Sequence, residues 1–146
     1  MSDAPAPAPV DRPALDEAAL EGLVEAARAV REQAYAPYSG FAVGAALLAE
    51  GRVFTGVNVE NASYPVGGCA ERNAVAAMVA AGARRLDAVA VVTDGAAPTP
   101  PCGGCRQGLW EFGPDAVVLA TTLRGDRARW ALAELLPHAF GPSDLP

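Results

Sequence analysis

Three cysteines and one glutamate are the residues of this chain whose types and spacing could support metal chemistry. Cys102 and Cys105 form a Cys-x-x-Cys pair in the segment PPCGGCRQ. This spacing commonly presents two thiolates to one zinc ion, because a turn of small residues brings both sulfurs to the same side. Cys69 lies in GGCAERNAV, where a run of helix-forming residues begins, and could supply a third thiolate. Three protein ligands would leave one position of a tetrahedral zinc open to water, as in catalytic zinc sites.

Other interpretations of these residues stay open at the level of spacing alone. The Cys102–Cys105 pair could be a redox couple. His138, the single histidine, could close the site as the fourth ligand of a structural zinc, or could simply lie at the surface or at a helix cap. A thiolate at a helix N-terminus is favoured by the partial positive charge there, which lowers the thiol pKa.

Glu71 follows Cys69 by two residues and could therefore lie beside the metal without binding it. Zinc lowers the pKa of a bound water from about 15.7 to about 7. A neighbouring carboxylate can take the proton of that water and later deliver it to a substrate nitrogen. Glu71 could instead only complement the helix dipole, but its place beside Cys69 and upstream of PCGGC favours general acid–base chemistry.

The composition limits the classes of protein to which the chain can belong. The 146 residues are 51% hydrophobic and 19% charged, which is typical of one globular domain with a real core. The net charge of −6 disfavours nucleic acid as a partner, and no apolar run is long enough to span a membrane. An odd number of cysteines, with no secretory signal in MSDAPAPAPVDRP, predicts a cytoplasmic protein. Residues 1–13 predict an Ala/Pro-rich disordered tail, and residues 14–146 a single catalytic domain.

The hydrophobic periodicity predicts the order α-β-β-α-β-α-β-α, in which strands that are separated by helices favour parallel pairing. A mixed sheet with helices on its faces follows from this order, in the α/β class. The predicted elements are a helix at 14–36, a hairpin at 41–59 around a Glu50–Gly51 turn, a helix at 69–83, a strand at 88–93, a helix at 105–112, a strand at 115–121 and a helix at 128–137.

Five motifs together resemble the zinc-dependent cytidine deaminases, and specifically the small enzymes that act on free nucleosides. In chain order, between about residues 15 and 140, they are PYSGFAVGAAL, GVNVENASY, CAER, PCGGCRQ and LLPHAF. A site with three cysteines and a glutamate that is not a zinc ligand is a known variant of the zinc deaminases. The resemblance implies a three-layer α/β fold, with a mixed sheet of about five strands and helices on both faces.

The resemblance also assigns the metal site. It implies one Zn²⁺ per subunit held by Cys69, Cys102 and Cys105, with Glu71 as the catalytic proton shuttle. Arg72 resembles an arginine of the family that donates to a cysteine sulfur. Such a guanidinium would offset the net negative charge of three thiolates on one divalent cation.

For the substrate, the resemblance implies contacts from six residues. Asn58 and Glu60 would bind the ribose hydroxyl groups, Phe41 would lie against the substrate, the Ala70 N–H would meet the pyrimidine carbonyl oxygen, and Tyr64 and Phe140 would reach the site of a neighbouring subunit in a homotetramer. The chain departs from many family members at Pro65, which follows Tyr64 where they have glycine. This proline stiffens the loop before Cys69.

The implied activity is the hydrolytic deamination of cytidine, with deoxycytidine as a second substrate, to uridine and ammonia in pyrimidine salvage. The nearest alternative is a related deaminase of another aminopyrimidine nucleoside. The alternative from a different class is a non-enzymatic zinc module in which His138 is the fourth ligand.

Overall fold

A computed structural model describes residues 15–146 of the chain, so the predicted tail at 1–13 lies outside the described residues. Four helices and five strands form the described part. They are α1 (Glu17–Arg31), β1 (Val43–Ala49), β2 (Arg52–Val57), α2 (Ala70–Ala80), β3 (Leu86–Thr93), α3 (Gly103–Trp110), β4 (Val117–Thr122), β5 (Arg127–Ala131) and α4 (Leu132–Leu135). Within residues 15–146, no helix has the length and apolar character to cross a membrane.

The five strands form one mixed sheet in the order β2-β1-β3-β4-β5. Strand β1 runs antiparallel to both β2 and β3, β3 runs parallel to β4, and β5 returns antiparallel to β4. Every residue of β3 is buried, because helices cover both faces of the sheet. Ala88, Ala90 and Val92 face the core under α1, whereas Val89 and Val91 face the core under the other helices. The predicted three-layer α/β fold is confirmed.

Helix α1 begins three residues after its predicted start and ends five residues before its predicted end. The Asp16 side chain caps it by accepting the Ala19 N–H at 2.7 Å. The prediction that the helix continues to residue 36 is wrong, because the chain turns after Arg31 and Tyr35 then forms a β-bridge with Val59. The tertiary pairing of this segment outweighs its helical periodicity.

The predicted hairpin is confirmed, with Glu50 and Gly51 both at positive φ as in a tight two-residue turn. The predicted last helix at 128–137 is wrong in its first half, since Arg127–Ala131 is the edge strand β5. Exposure alternates along this strand, with the arginines outside and Trp130 half-buried. That period of two suits a strand, and only Leu132–Leu135 is helical.

The absence of a side chain at Gly56 sets the close approach of α2 to the sheet. A Cβ built on this residue of β2 would lie 2.4 Å from both the Ala70 carbonyl oxygen and the Ala74 nitrogen. The first turn of α2 therefore packs directly on the backbone of β2. This packing fixes the position of the cysteine at the start of α2.

We predict that Gly56→Ala destabilises the protein by about 1–3 kcal/mol, because the new methyl group overpacks a backbone contact that cannot relax cheaply. Thermal or urea unfolding measures the effect. Gly22→Ala in α1 is the matched control, because nothing lies within 4 Å of its new Cβ. The control should be stabilised by about 0.5–1 kcal/mol. Equal unfolding free energies for the wild type and Gly56→Ala would contradict the close-approach argument.

Candidate functional site

The three cysteines meet at the N-termini of two helices. Cys69 is the N-cap of α2, Cys102 is the N-cap of α3, and Cys105 lies in the first turn of α3. Their sulfur atoms all lie within 4.8 Å of one another, and all three are free thiols. Neither N-cap cysteine uses its side chain to cap its helix, so both sulfurs are available to a ligand. The arrangement that the spacing predicts is the one the fold produces.

This donor set suits zinc. Zn–S bonds of about 2.3 Å in tetrahedral geometry place sulfurs about 3.8 Å apart, a separation compatible with the observed cluster. His138 is exposed, with φ of 55°, and does not belong to the cluster formed within residues 15–146. The cluster therefore offers three protein ligands rather than four, which matches a catalytic rather than a structural zinc site.

The thiol groups respond differently to their surroundings. Partial burial raises the pKa of the Cys102 thiol, but hydrogen bonds from the Cys105 backbone and from the Cys105 and Cys69 side chains together bring it below its ordinary value. Burial raises the pKa of Cys69 and of Cys105, and the neighbouring carboxyl group of Glu71 raises both further. The expectation that helix N-termini lower the thiol pKa thus holds only for Cys102. Three thiolates beside a carboxylate require a cation to balance their charge.

Glu71 lies beside the sulfur cluster without being part of it. It occupies the first turn of α2, its exposed fraction is 5%, and its Oε2 atom lies 3.5 Å from the Cys105 sulfur. Burial raises the pKa of this carboxyl group above its ordinary value. A carboxyl group with a raised pKa binds a proton more readily than one in water, which suits it to accepting a proton and then returning it.

Arg72 contacts a backbone oxygen rather than a sulfur. Its Nη2 atom donates to the Gly67 carbonyl oxygen at 3.3 Å, and no hydrogen bond from its guanidinium to a cysteine is present among residues 15–146. The contact ties α2 to the loop that leads into Cys69. The charge-compensating role implied by the resemblance therefore stays a prediction.

A cavity of about 480 Å³ opens next to Cys69, within the size range of small-molecule sites. Of the residues singled out from the sequence, Asn58, Glu60, Tyr64 and Cys69 line it. The remaining lining residues are Tyr38, Ser39, Val59, Asn61, Gly67 and Gly68. The strand-end residues and the metal-binding loop thus share one concave surface.

Asn58 organises the segment before β1. Its Oδ1 atom accepts the Val43 N–H at 2.8 Å, and its Nδ2 atom donates to the Phe41 carbonyl oxygen at 2.8 Å. Each amide atom keeps one further hydrogen-bonding position. Phe41 is 36% exposed and does not line the described cavity. Its predicted contact with the substrate stays a prediction.

Glu60 is held by the turn that precedes Phe41. Its Oε2 atom accepts the N–H groups of Tyr38 at 2.8 Å and of Ser39 at 3.1 Å, and the Ser39 hydroxyl donates to Oε1. The Ser39 hydroxyl, followed by the two backbone N–H groups, holds the pKa of Glu60 below its ordinary value. Glu60 is therefore an ionised acceptor at the wall of the cavity.

The aromatic residues that the resemblance assigns to subunit contacts are exposed in the single chain. Tyr64 is 76% exposed and packs edge-to-face on Tyr38, with ring centroids 6.1 Å apart. Pro65 lies in a short 3₁₀ turn with Tyr64 and Val66. Phe140 is 58% exposed and does not line the described cavity.

The substrate carbonyl contact assigned to Ala70 is compatible with its position. Ala70 is the first residue of α2 and is fully buried. The first N–H groups of a helix have no acceptor within the helix. The Ala70 N–H can therefore donate to a ligand at the start of α2.

Sequence reasoning missed several polar residues that support the site. The Asn73 amide bonds the Val57 carbonyl oxygen at 2.8 Å and so joins the end of β2 to α2. Arg106 bonds the carbonyl oxygens of Pro101 and Leu135, each at 2.7 Å, and Gln107 bonds that of Phe140 at 2.9 Å. The last two directly follow Cys105 in CRQ, and their position beside a metal ligand was the available signal.

The comparisons with known proteins agree with this geometry. The family model of the cytidine and deoxycytidylate deaminase zinc-binding region matches residues 18–121. The chain is 47% identical over 128 residues to a cytidine deaminase of Sporosarcina psychrophila, which covers 86% of this chain and 94% of that protein. It also resembles the crystal structure of a cytidine deaminase from Burkholderia pseudomallei, with 50% sequence identity and a TM-score of 0.79; the match covers 82% of this chain and 98% of that one. The match to the crystal structure of a cytidine deaminase from Mycobacterium tuberculosis has 43% identity and a TM-score of 0.72, and covers 84% of this chain and 97% of that one.

We predict that the purified chain holds about one zinc per subunit, bound by three sulfurs at about 2.3 Å. Elemental analysis gives the metal content, and X-ray absorption spectroscopy gives the number of sulfur ligands. Cys102→Ser should lower the zinc content, because an alcohol is a far weaker ligand than a thiolate. A fourth protein ligand, or a chain free of metal after gentle purification, would contradict the three-thiolate site.

Proposed function

Because the chain belongs to the cytidine and deoxycytidylate deaminase family, we propose that its site carries out the hydrolytic deamination of cytidine to uridine and ammonia. Deoxycytidine is the second substrate, and pyrimidine salvage is the usual role of this reaction. The observation that carries the proposal is the buried Glu71 carboxyl group 3.5 Å from a sulfur of a three-thiol cluster, one member of which, Cys69, lines a cavity of about 480 Å³.

Cys69, Cys102 and Cys105 would hold the zinc ion, which would supply the Lewis acidity that makes a water molecule nucleophilic at neutral pH. Glu71 accepts a proton from the attacking water and delivers it to N3 of the pyrimidine. The water oxygen adds to C4, and Glu71 then takes the proton of the resulting hydroxyl group and carries it to the amino group. The C4–N bond breaks, ammonia leaves and the C4 carbonyl group of uridine forms. The buried setting of Glu71 suits this exchange, since burial raises its pKa and so makes the carboxylate a better proton acceptor.

The substrate contacts follow from the wall of the cavity. The free hydrogen-bonding positions of Asn58 and Glu60 bind the ribose hydroxyl groups. The Ala70 N–H donates to the carbonyl oxygen of the pyrimidine, and Phe41 packs against the substrate. Support comes from the shared cavity of Asn58, Glu60 and Cys69.

Arg72 offsets part of the negative charge of the three thiolates in the proposed reaction. Its place in the first turn of α2, three residues after Cys69, supports this role. In the described contacts it acts on the loop that carries the cysteine.

A homotetramer with shared sites is the proposed assembly. Tyr64, Val66 and Phe140 expose 76%, 67% and 58% of their surface in the single chain, which is the kind of aromatic and apolar surface that a subunit interface covers. In this assembly Tyr64 and Phe140 reach the site of the neighbouring subunit.

A cytoplasmic location is proposed because a reducing compartment keeps the three thiols free for metal.

We predict that Glu71→Gln retains the fold and zinc but loses the factor of about 10²–10⁴ in kcat that is typical of a general acid–base group. Ammonia release from cytidine measures the rate, and elemental analysis measures the zinc. Glu111→Gln, at the exposed end of α3, is the matched control and should keep the wild-type rate. A Glu71→Gln variant with full zinc content and nearly wild-type turnover would leave Glu71 without a chemical role.

We predict that cytosine base is a very poor substrate beside cytidine, by as much as about 10⁴–10⁵ in kcat/KM, because a ligand without the sugar leaves Asn58 and Glu60 unpaired. Glu60→Ala should narrow this gap chiefly by lowering the turnover of cytidine. Glu25→Ala, an exposed residue of α1, serves as the control. Equal turnover of cytosine and cytidine, or ready deamination within a single-stranded oligonucleotide, would refute the substrate class.

A further inference from the structure

The turn between α1 and β1 carries a hydroxyl group that connects two residues of the site. The Ser39 hydroxyl donates to Glu60 Oε1 and accepts the Phe41 N–H at 3.0 Å. A serine hydroxyl has a single hydrogen to donate. In this structure that hydrogen is committed to Glu60, and Ser39 lines the same cavity as Glu60.

The turn leaves few acceptor positions of Glu60 to a ligand. A carboxylate has about four lone-pair positions, two on each oxygen. The N–H groups of Tyr38 and Ser39 occupy both positions on Oε2, and the Ser39 hydroxyl occupies one on Oε1. One position, on Oε1, remains for a donor in the cavity.

We propose that Ser39 is a positioning residue that restricts Glu60 to a single hydroxyl group of the substrate and thereby sets which sugar hydroxyl the enzyme requires. This inference rests on the proposed function, since it assumes that the ligand in the cavity is a nucleoside. Ser39 itself acts through Glu60.

The surrounding contacts favour Ser39 over the backbone groups as the source of this restriction. The Ser39 hydroxyl is the only side-chain donor to Glu60 among the described residues, and it makes the largest contribution to keeping the pKa of Glu60 low. Without it, both positions on Oε1 would be free. Oε1 could then accept from either sugar hydroxyl, while the two backbone N–H groups still hold Oε2.

The same hydroxyl also stabilises the path of the chain into β1. It accepts the Phe41 N–H, while the Phe41 carbonyl oxygen accepts from Asn58 Nδ2. Both polar groups of the Phe41 backbone are thus bound by residues of the cavity wall. Loss of the hydroxyl would loosen the wall on the side of the sugar rather than on the side of the cysteines.

The test compares Ser39→Ala with the wild type on cytidine, 2′-deoxycytidine and 3′-deoxycytidine. We expect Ser39→Ala to raise KM for cytidine about 10-fold, the equivalent of one hydrogen bond, while kcat changes less than about 3-fold. One of the two deoxy analogues lacks the hydroxyl group that Glu60 binds. The ratio of kcat/KM for cytidine to kcat/KM for that analogue should fall toward 1. The preference over the other analogue should stay as in the wild type.

Matched variants distinguish an effect of Ser39 on the position of Glu60 from an unspecific loss of structure or activity. Ser39→Thr keeps the hydroxyl and should restore the wild-type preference. Ser143→Ala, at an exposed serine of the last 3₁₀ turn, should match the wild type throughout. In a Glu60→Ala background, Ser39→Ala should leave the analogue preference unchanged, because its effect passes through Glu60. Ser39→Cys, a weak donor, replaces Ser39→Ala if the latter does not fold.

Three results would overturn the role of Ser39 in an active enzyme. The first is a Ser39→Ala variant whose KM and whose preference among the three nucleosides are those of the wild type. The second is an equal loss of kcat/KM on all three nucleosides. The third is a further change in the preference when Ser39→Ala is added to Glu60→Ala. A wild-type chain that contains zinc and releases no ammonia from cytidine would instead overturn the proposed function, and the role of Ser39 with it.

Discussion

The site exists because two helix N-termini are held close enough for three sulfurs to lie within 4.8 Å of one another. Helix α2 reaches this position because Gly56 lets its first turn rest on the backbone of β2. The start of α3 is fixed from the other side, where Arg106 bonds the Pro101 carbonyl oxygen just before Cys102. The metal centre thus depends on backbone approach and on buttressing by residues that do not bind the metal.

Charge balance follows from this convergence. Three thiols and the buried Glu71 carboxyl group share a small volume, and burial raises the pKa of Cys69, Cys105 and Glu71. A divalent cation offsets the charge of the thiolates, and the carboxyl group beside them is the proposed proton carrier. Burial also makes Glu71 bind a proton more readily than a carboxyl group in water does, which suits it to proton transfer.

The metal site was predictable from the sequence because each of its cysteines lies in a short motif at the start of a helix. A Cys-x-x-Cys pair and a cysteine at the start of a helix already fix which end of each helix carries sulfur, and both helix starts are confirmed within one or two residues. Strand β5 was missed because its Arg-Ala-Arg-Trp alternation is short and leads directly into a helical turn.

The hydrogen bonds that hold the residues around the cavity could not be predicted in the same way. Asn58 and Glu60 were expected to face the ligand, but the bonds that fix them come from residues 15 to 22 positions earlier in the chain. Arg72 was expected on a sulfur and donates to Gly67 instead. Such partners depend on how the turn before β1 packs against the end of β2, and neither propensity nor spacing encodes that contact.

The central claim is that this chain deaminates free cytidine with a zinc held by three thiolates. Its most direct test is the stoichiometric measurement of ammonia and uridine from cytidine, beside a panel of other aminopyrimidine nucleosides, before and after the zinc is removed and restored. We predict equal amounts of uridine and ammonia, the highest kcat/KM for cytidine or deoxycytidine, and a rate that follows zinc content. Turnover that persists without zinc, or that occurs only with another aminopyrimidine nucleoside, would contradict the account.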